Sequence, residues 1–247
     1  MRKIGIVGGV GWPSTIEYYR LICEASQLYH KDRDFSGPIP MPEISIESLN
    51  MNFTVNNRGS SELGSWREWD QYFKSAVTRL EQSGAELILI ASVTPHARLT
   101  EITDGTKTQI VSIYESIGSH CIANKIDNLL VLGTMPTMTS PAFKRGMEKF
   151  RVNVLHPETE LLKSKVSDVI ERLYQNKTEG AASEIDDIVR SCISAGELED
   201  TAICLGCTEL PLAFSYVSNK SCFAYQGINY LNSSVVHALS AFQKSVQ

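Results

Sequence analysis

Residues 3–15 read KIGIVGGVGWPST, in which a short apolar run ends in glycines and is followed at once by a helical pattern. This succession of apolar run, small residues and helical pattern recurs along the chain, and it is typical of β–α units on a parallel sheet. We expect strands at 3–7, 43–46, 87–91, 109–113, 129–133, 152–155, 201–205 and 222–224. We expect helices at 14–28, 66–82, 141–150, 158–174, 181–195 and 228–244, the first with a capping box from Ser14 to Glu17. The pattern therefore predicts an α/β fold.

A similarity between two segments of the chain predicts two similar lobes. Residues 85–94 (AELILIASVT) and 201–208 (TAICLGCT) each form an apolar strand that ends in a small residue, a potential nucleophile and a threonine. We expect lobe 1 to comprise residues 1–113 and 213–247, and lobe 2 to comprise residues 114–212. Stretches 32–42 and 48–65 are rich in turn-forming residues without a clear period, so both are predicted loops.

Composition excludes several classes of partner. The chain has 247 residues, is 43% hydrophobic and carries a formal charge of -5 without a basic block, so no nucleic-acid partner is expected. No apolar run approaches the roughly 20 residues that span a bilayer, and the first apolar segment soon meets glycines, unlike a signal sequence. We expect a cytoplasmic protein with no membrane contact, whose six cysteines are reduced.

The ends of four predicted strands carry most of the functional information, because ligands of open parallel sheets bind beyond the carboxyl ends of the strands. These ends lie at 8–15, 92–96, 134–137 and 206–211. The glycines of the first segment lack the G-x-G-x-x-G spacing of a dinucleotide site, and no Gly-Lys-Ser/Thr follows. A small anion such as a carboxylate, held by amides and by the hydroxyl of Ser14 or Thr15, fits this turn better; a tight turn without a ligand is the alternative.

Cys207 is the candidate catalytic thiol. It follows a strand, and if Thr208 opens a helix, the positive end of that helix would stabilise a thiolate. Cys204 and Cys207 also form a C-x-x-C pair, which leaves zinc or thiol-redox chemistry as alternatives. No second pair or histidine cluster supplies further zinc ligands, so no metal is predicted, and Cys204 is expected in the core. His96 has two interpretations, orienting a partner in a cleft or simply starting a helix.

The segments IGIVGGVGWPST, IASVTPH, LGTMPTM and LGCTELP, in this order, resemble the four motifs of the aspartate/glutamate racemase family, part of the Asp/Glu/hydantoin racemase superfamily. The resemblance implies two Rossmann-like lobes with parallel four-stranded sheets flanked by helices, and an active site in the cleft between them. It implies an isomerase that moves the α-proton of an amino acid between two thiols on opposite faces, without pyridoxal phosphate or another cofactor. It also implies a homodimer.

By the same resemblance, several residues would bind the substrate. Hydroxyl groups would hold carboxylates at Thr94, Thr134, Thr137 and Thr208, and the floor of the site would be shaped by Gly9, Trp12, Ser14 and Thr15. Arg58 and Lys163 are the candidates for the distal carboxylate of aspartate or glutamate, because a cation there would distinguish acidic substrates.

One departure from the family pattern bears on the chemistry. The first motif of the family usually reads Cys-Asn-Thr, whereas this chain has Ser92-Val93-Thr94, so Ser92 stands where the first catalytic thiol would be and Cys207 is the one thiol left. A hydroxyl is a far weaker acid than a thiol. We expect an amino-acid racemase with Cys207 and Ser92 as catalytic residues. The alternatives are one-sided proton exchange, a single-thiol enzyme resembling arylmalonate decarboxylase, and a catalytically degenerate protein that binds a dicarboxylate.

Overall fold

The computed structural model of the chain describes residues 1–31, 37–60, 62, 64–217 and 219–247, with the backbone alone at 215–217. Contacts divide the chain into two compact units, one of Met1–Ser112 with His237–Gln247 and the other of Ile113–Val236. The expected division differs in the placement of residues 213–236, which the structure groups with the second unit because two strands within them join its sheet.

The first unit contains a four-stranded parallel sheet with helices packed on it. Along the chain it is built of β1 (Ile4–Gly8), α1 (Trp12–His30), β2 (Ile44–Ser48), α2 (Met51–Asn56), α3 (Arg67–Gln82), β3 (Leu87–Ile90), a 3-10 helix (Thr94–Arg98), α4 (Leu99–Ile102) and β4 (Gln109–Ile110). The strand order is β2-β1-β3-β4. Every residue of β1 and β3 is buried, as expected for parallel strands that are covered on both faces.

The second unit contains a five-stranded sheet. Its elements are α5 (Ile113–Asn124), β5 (Asn128–Gly133), α6 (Met135–Thr139), α7 (Ala142–Glu148), β6 (Asn153–Leu155), α8 (Glu160–Tyr174), α9 (Ala181–Cys192), β7 (Thr201–Gly206), a 3-10 helix (Leu210–Val217), β8 (Cys222–Tyr225) and β9 (Ile228–Asn232). Helix α10 (Ser233–Ser245) follows and crosses the boundary between the units. The strand order is β6-β5-β7-β9-β8, and only the β8–β9 pair is antiparallel.

The predicted α/β class, with parallel sheets flanked by helices, is confirmed. The second sheet has five strands rather than four, and its edge is an antiparallel hairpin. The predicted helix at 228–244 is wrong in its first five residues, which form β9. The reason lies in the preceding turn, where Gln226 and Gly227 have φ of 49° and 79° and close a two-residue hairpin.

Two local predictions are also wrong. The stretch 48–65 contains α2, which begins where the Asn50 side chain accepts a hydrogen bond from the Asn52 amide. The capping box is absent, because α1 begins at Trp12 and the Glu17 carboxylate pairs with Arg20. The loop predicted at 32–42 is described only from Gly37 onward. No helix among the described segments combines the length and apolar character needed to cross a membrane.

Candidate active site

Three strands of the second unit end side by side and bring functional residues to one edge of its sheet. Gly133 of β5 pairs with Gly206 of β7, so the next residues, Thr134 and Cys207, emerge at neighbouring positions. The end of β9 is fixed against β7 as well, because the Ser233 hydroxyl donates to the Leu205 carbonyl at 2.6 Å. This carboxyl edge is the place where a parallel sheet binds its ligands.

Cys207 lies beside a buried carboxylate at this edge. Its side chain is 4% exposed, and its Sγ donates to Oε2 of Glu209 at 3.0 Å. The Thr208 hydroxyl donates to the same oxygen at 3.0 Å, and Glu209 is itself only 2% exposed. A carboxylate in this position can accept the proton that a thiol must lose before it becomes a base or a nucleophile.

Sequence reasoning missed Glu209, although a signal was present. Glu209 is the only charged residue between Asp200 and Lys220, in a stretch that is otherwise apolar or small. A single acid in such a stretch is buried with its neighbours when the segment folds, and a buried acid needs hydrogen-bond partners. The thiol and the hydroxyl of the two preceding residues provide them.

The predicted source of thiol activation differs from what the structure contains. No α-helix begins at Thr208; a 3-10 helix begins at Leu210 and is interrupted by non-helical dihedrals at Phe214. The Leu210 amide donates to the Cys207 carbonyl at 3.1 Å, which closes a tight turn and folds Glu209 back toward the thiol. The group placed against Cys207 is therefore a proton acceptor rather than the positive end of an α-helix.

The first cysteine of the C-x-x-C pair is a core residue, as predicted. Cys204 lies within β7 and is fully buried, and burial raises the pKa of its thiol well above the ordinary value. No disulfide joins Cys204 to Cys207. Within the described ranges, no three His, Cys, Asp or Glu side chains are grouped so that they could hold a metal ion.

The threonines that follow β5 form a hydroxyl pair next to Cys207. Thr134 and Thr137 are buried, and their Oγ1 atoms lie 3.1 Å apart. The close approach depends on glycine, because a Cβ at Gly133 would lie 2.8 Å from the Gly206 carbonyl and 2.9 Å from the Thr137 methyl group. One hydroxyl of this pair donates to the other, and the second hydroxyl can donate to a carboxylate.

Lys163 is placed near the end of β6 in the same unit. Its side chain is 15% exposed, and its Nζ pairs at 2.7 Å with Glu160, which is 79% exposed. His156 follows β6, and the pKa of its imidazole is lowered first by burial and also by the nearby cations Lys163 and Lys144. These relations place a positive charge close to the carboxyl edge that carries Cys207.

The glycine turn of the first unit is held by its own backbone and one hydroxyl. Gly9 has φ of 75°, and its amide donates to Oγ1 of Thr15 at 2.8 Å. Any Cβ at Gly9 would lie 2.1 Å from the Leu49 carbonyl oxygen. Ser14 is buried inside α1, whereas Trp12 is 60% exposed at the start of that helix. The Thr15 hydroxyl is thus committed to the turn as an acceptor and can still donate.

Ser92 and Thr94 follow β3, the neighbour of β1 in the same sheet. Both are buried, and the Ser92 amide donates to the Ile90 carbonyl at 2.8 Å in a tight turn. Since β1 and β3 are parallel, with Val7 opposite Ile90, the glycine turn and Ser92 lie at one edge of this sheet. The structure therefore brings Ser92 and the glycine turn to the same edge of the first sheet, and their roles in catalysis and binding remain predictions.

His96 belongs to a buried polar cluster of the first unit. Its ring lies 5.3 Å from that of His237, and its pKa is lowered well below the ordinary value by burial and then by His237. His237 Nε2 lies 2.8 Å from the Val111 carbonyl, so that nitrogen carries the proton, and Nδ1 accepts from the Tyr18 hydroxyl at 3.0 Å. Neutral imidazoles of this kind serve packing and hydrogen bonding.

Arg58 follows α2 and is half-buried. Its Nε is buried without a hydrogen-bond partner in the part of the chain that the structure describes. A buried guanidinium donor without a partner is costly, and an anion would satisfy it. This observation favours Arg58 as an anion-binding residue of the first unit.

Comparisons with known proteins identify the family to which the chain belongs. The profile of the Asp/Glu/hydantoin racemase family matches residues 7–239, so the chain belongs to this family. Family membership supports an amino-acid racemase, which is an isomerase.

Three solved structures share the fold. The chain is similar to a putative Asp/Glu racemase from Yersinia pestis, with TM-score 0.78, 22% identity and complete coverage of both chains. An aspartate racemase homologue from Pyrococcus horikoshii OT3 gives TM-score 0.75 and 26% identity, again over 100% of both chains. A glutamate racemase from Campylobacter jejuni gives TM-score 0.62 and 17% identity, over 99% of this chain and 86% of that one.

Proposed function

We propose that this protein is a cofactor-independent racemase of aspartate or glutamate in which Cys207 acts as acid or base on one face of the α-carbon and Ser92 serves the other face. The observation that carries the proposal is the contact of 3.0 Å between the buried Cys207 thiol and the buried Glu209 carboxylate. The family of the chain supports racemase chemistry, and the contact supplies a thiol with the acceptor that it needs at a strand end.

Proton transfer would begin within this pair. The Cys207 proton passes to Oε2 of Glu209, and the thiolate then takes the α-proton of the amino acid, leaving a carbanion. One hydroxyl of the Thr134–Thr137 pair would donate a hydrogen bond to the α-carboxylate while the other donates within the pair, and Thr208 would turn to the α-carboxylate once Glu209 has taken the Cys207 proton. These hydrogen bonds would stabilise the negative charge that develops on the substrate. Burial strengthens these hydrogen bonds because water does not compete for them.

Preference for an acidic substrate would come from Lys163 and Arg58. The partner of Lys163 is the largely exposed Glu160, and such ion pairs contribute about 0–1 kcal/mol, so a substrate carboxylate can replace it. The buried Nε of Arg58 has no hydrogen-bond partner among the described residues, and a substrate carboxylate would accept a hydrogen bond from it. The aspartate racemase homologue at 26% identity agrees with an acidic amino acid as substrate.

Ser92 would serve the return of the proton on the opposite face, through a water molecule or a neighbouring group, since its hydroxyl is a weak acid. Because Cys207 is then the only catalytic thiol, proton exchange on one face, decarboxylation by a single thiol, and binding of a dicarboxylate without turnover are the alternatives to be separated.

Incubation in D2O with each enantiomer of aspartate and glutamate separates them. A racemase incorporates α-deuterium and produces the opposite enantiomer, whereas one-sided exchange gives deuterium without inversion. A decarboxylase is silent in this assay and releases CO2 from an arylmalonate, and a binding protein shows only a rise in melting temperature. Cys207→Ala should abolish turnover, while Cys192→Ala, at a half-buried thiol on α9, should retain it. Loss of activity in both variants, or in neither, would contradict the proposal.

A further inference from the structure

A second thiol with a basic partner lies away from the candidate active site. Cys222, on the edge strand β8, is exposed, and its Sγ lies 3.2 Å from Nε2 of His120 on α5. Cys222 is opposite Leu231 of β9, and Leu231 is opposite Cys204 of β7, so the three are level across the sheet. Cys207 follows Cys204 by three residues, which places it about 10 Å farther along the strand direction.

The chemistry of this pair depends on the imidazole. Burial lowers the pKa of His120, which favours the neutral ring. In the tautomer that carries its proton at Nδ1, Nε2 can accept the proton of Cys222. Burial also raises the pKa of Cys222, so little of the thiol ionises without help. A neutral imidazole within hydrogen-bond distance provides that help, because it can take the proton as the sulfur attacks.

A cavity beside the thiol determines which reagents fit. Cys222 is among the residues that line a cavity of about 560 Å³ at the amino-terminal ends of β5 and β7. Its charged lining consists of Asp127, Glu199 and Asp200 against Lys125. The excess of carboxylates attracts cations and repels anions.

We propose that Cys222 and His120 form a modification site that undergoes thiol–disulfide exchange with small disulfides that carry positive charge. The Cys222 proton moves to His120 Nε2, and the sulfur attacks one sulfur of the disulfide R–S–S–R. A new bond forms between Cys222 and that sulfur while the S–S bond of the reagent breaks. The departing thiolate takes the proton from His120 and leaves as RSH, so one sulfur of the reagent is reduced and the Cys222 sulfur is oxidised.

The other described thiols outside the active site lack this combination. Cys121 and Cys204 are buried, and burial raises the pKa of each. Cys192 is half-buried with a pKa raised to about 11. Cys23 is half-buried on α1. Among the described residues it neither lines the cavity nor contacts a histidine, so it serves as the comparison thiol for Cys222.

The test measures mixed-disulfide formation by peptide mass mapping. The full chain is treated with the cationic disulfide cystamine or with the anionic disulfide dithiodiglycolate at equal concentration. Cys222 should react with cystamine at least about tenfold faster than Cys23, and about fivefold faster than with the anionic reagent. His120→Gln should slow the reaction of Cys222 about tenfold. The control Glu115→Gln, at an exposed carboxylate on the same helix, should leave the rate unchanged.

A charge variant tests the role of the cavity. Neutralising both Glu199 and Asp200, as Glu199→Gln with Asp200→Asn, should remove most of the preference for cystamine while His120 still accelerates the reaction. Equal rates at Cys222 and Cys23, an unchanged rate in His120→Gln, or a preference for the anionic disulfide would each overturn the proposal. Because the readout is a mass shift on a β8 peptide rather than turnover of an amino acid, failure here is distinguishable from failure of the racemase proposal.

Discussion

At the scale of single residues, the proposed chemistry centres on a thiol and a carboxylate that share one proton. When Cys207 passes its proton to Glu209, the negative charge moves from oxygen to sulfur, and the charge of the pair does not change. The buried pair therefore presents one negative charge in either state, which limits the cost of ionising a thiol with little solvent. Cations and hydroxyls must then offset the charge of the substrate.

The variant Glu209→Gln tests directly whether Glu209 takes the proton of Cys207. The amide keeps the shape of the side chain but cannot take a proton, so kcat should fall about 100-fold while KM changes little. The initial rate of aspartate racemisation measures this. The control is Glu148→Gln, at an exposed carboxylate at the end of α7. An unchanged kcat in Glu209→Gln would show that Glu209 only fills space.

The role proposed for Ser92, the return of the proton on the face opposite Cys207, gives a separate prediction. Ser92→Ala should retain α-deuterium incorporation while production of the opposite enantiomer falls about tenfold or more. Ser92→Cys, which supplies a stronger acid of similar size, should preserve or raise inversion. Chiral chromatography of the products distinguishes the two effects. Equal inversion in Ser92→Ala and the unaltered protein would remove Ser92 from the mechanism.

At the scale of elements, the turn between β1 and α1 depends on one left-handed glycine in a crowded position. Gly9→Ala combines unfavourable dihedrals with a Cβ 2.1 Å from a backbone oxygen, so it should lower the free energy of unfolding by about 3 kcal/mol or more. Gly84→Ala is the matched control, because Gly84 has φ of 82° with nothing within 4 Å of a Cβ, and it should cost only about 1 kcal/mol. Urea unfolding gives both values, and equal losses would refute the steric argument.

The sequence predicts a strand or helix well where turn-forming residues mark its ends, and poorly where they do not. Of the nine strands in the described residues, eight are short apolar runs whose ends the sequence places to within two residues, except at the end of β4. Strand β9 was missed because its apolar residues continue without a break into α10, so one long helical pattern covered both. The Gln226-Gly227 pair was the available signal, since glycine permits the left-handed dihedrals that a two-residue hairpin needs.

Residues of the candidate site that directly follow a strand could be placed from the sequence. The contact made by a turn that brings a later residue back to Cys207 could not be read from periodicity. Thr134 and Cys207 are placed by strand register, which follows from the run lengths. Glu209 reaches Cys207 because the chain turns between Cys207 and Leu210 before it continues as a 3-10 helix. The helix type depends on how the segment packs, and periodicity does not encode it.

At the scale of the whole molecule, two neutral histidines make stability sensitive to acid. Burial is the largest cause that lowers the pKa of both, that of His237 to about 4 and that of His96 well below its ordinary value. Below about pH 6.5 the unfolded chain protonates both imidazoles while the folded chain does not. The unfolded state then binds more protons, so the free energy of unfolding should fall as pH falls, by up to about 1.4 kcal/mol per pH unit for each histidine.

Urea unfolding between pH 8 and pH 4 measures this loss, which should begin near pH 6.5 and level off for His237 as its folded pKa is approached. In His96→Gln one titrating group is gone, so the slope with pH should become shallower whatever the absolute stability of the variant. A free energy of unfolding that stays flat through this range would show that neither imidazole is excluded from solvent.

The central claim is that one thiol, paired with a carboxylate, moves a proton at carbon. The most direct measurement is the rate at which the α-proton of L-aspartate, or of glutamate if that is the substrate, is replaced by deuterium in D2O, followed by proton NMR with the unaltered protein and with Cys207→Ala. We predict exchange with the unaltered protein and none above the buffer rate with Cys207→Ala, provided that both melt at similar temperatures. Continued exchange after removal of that sulfur would contradict the account.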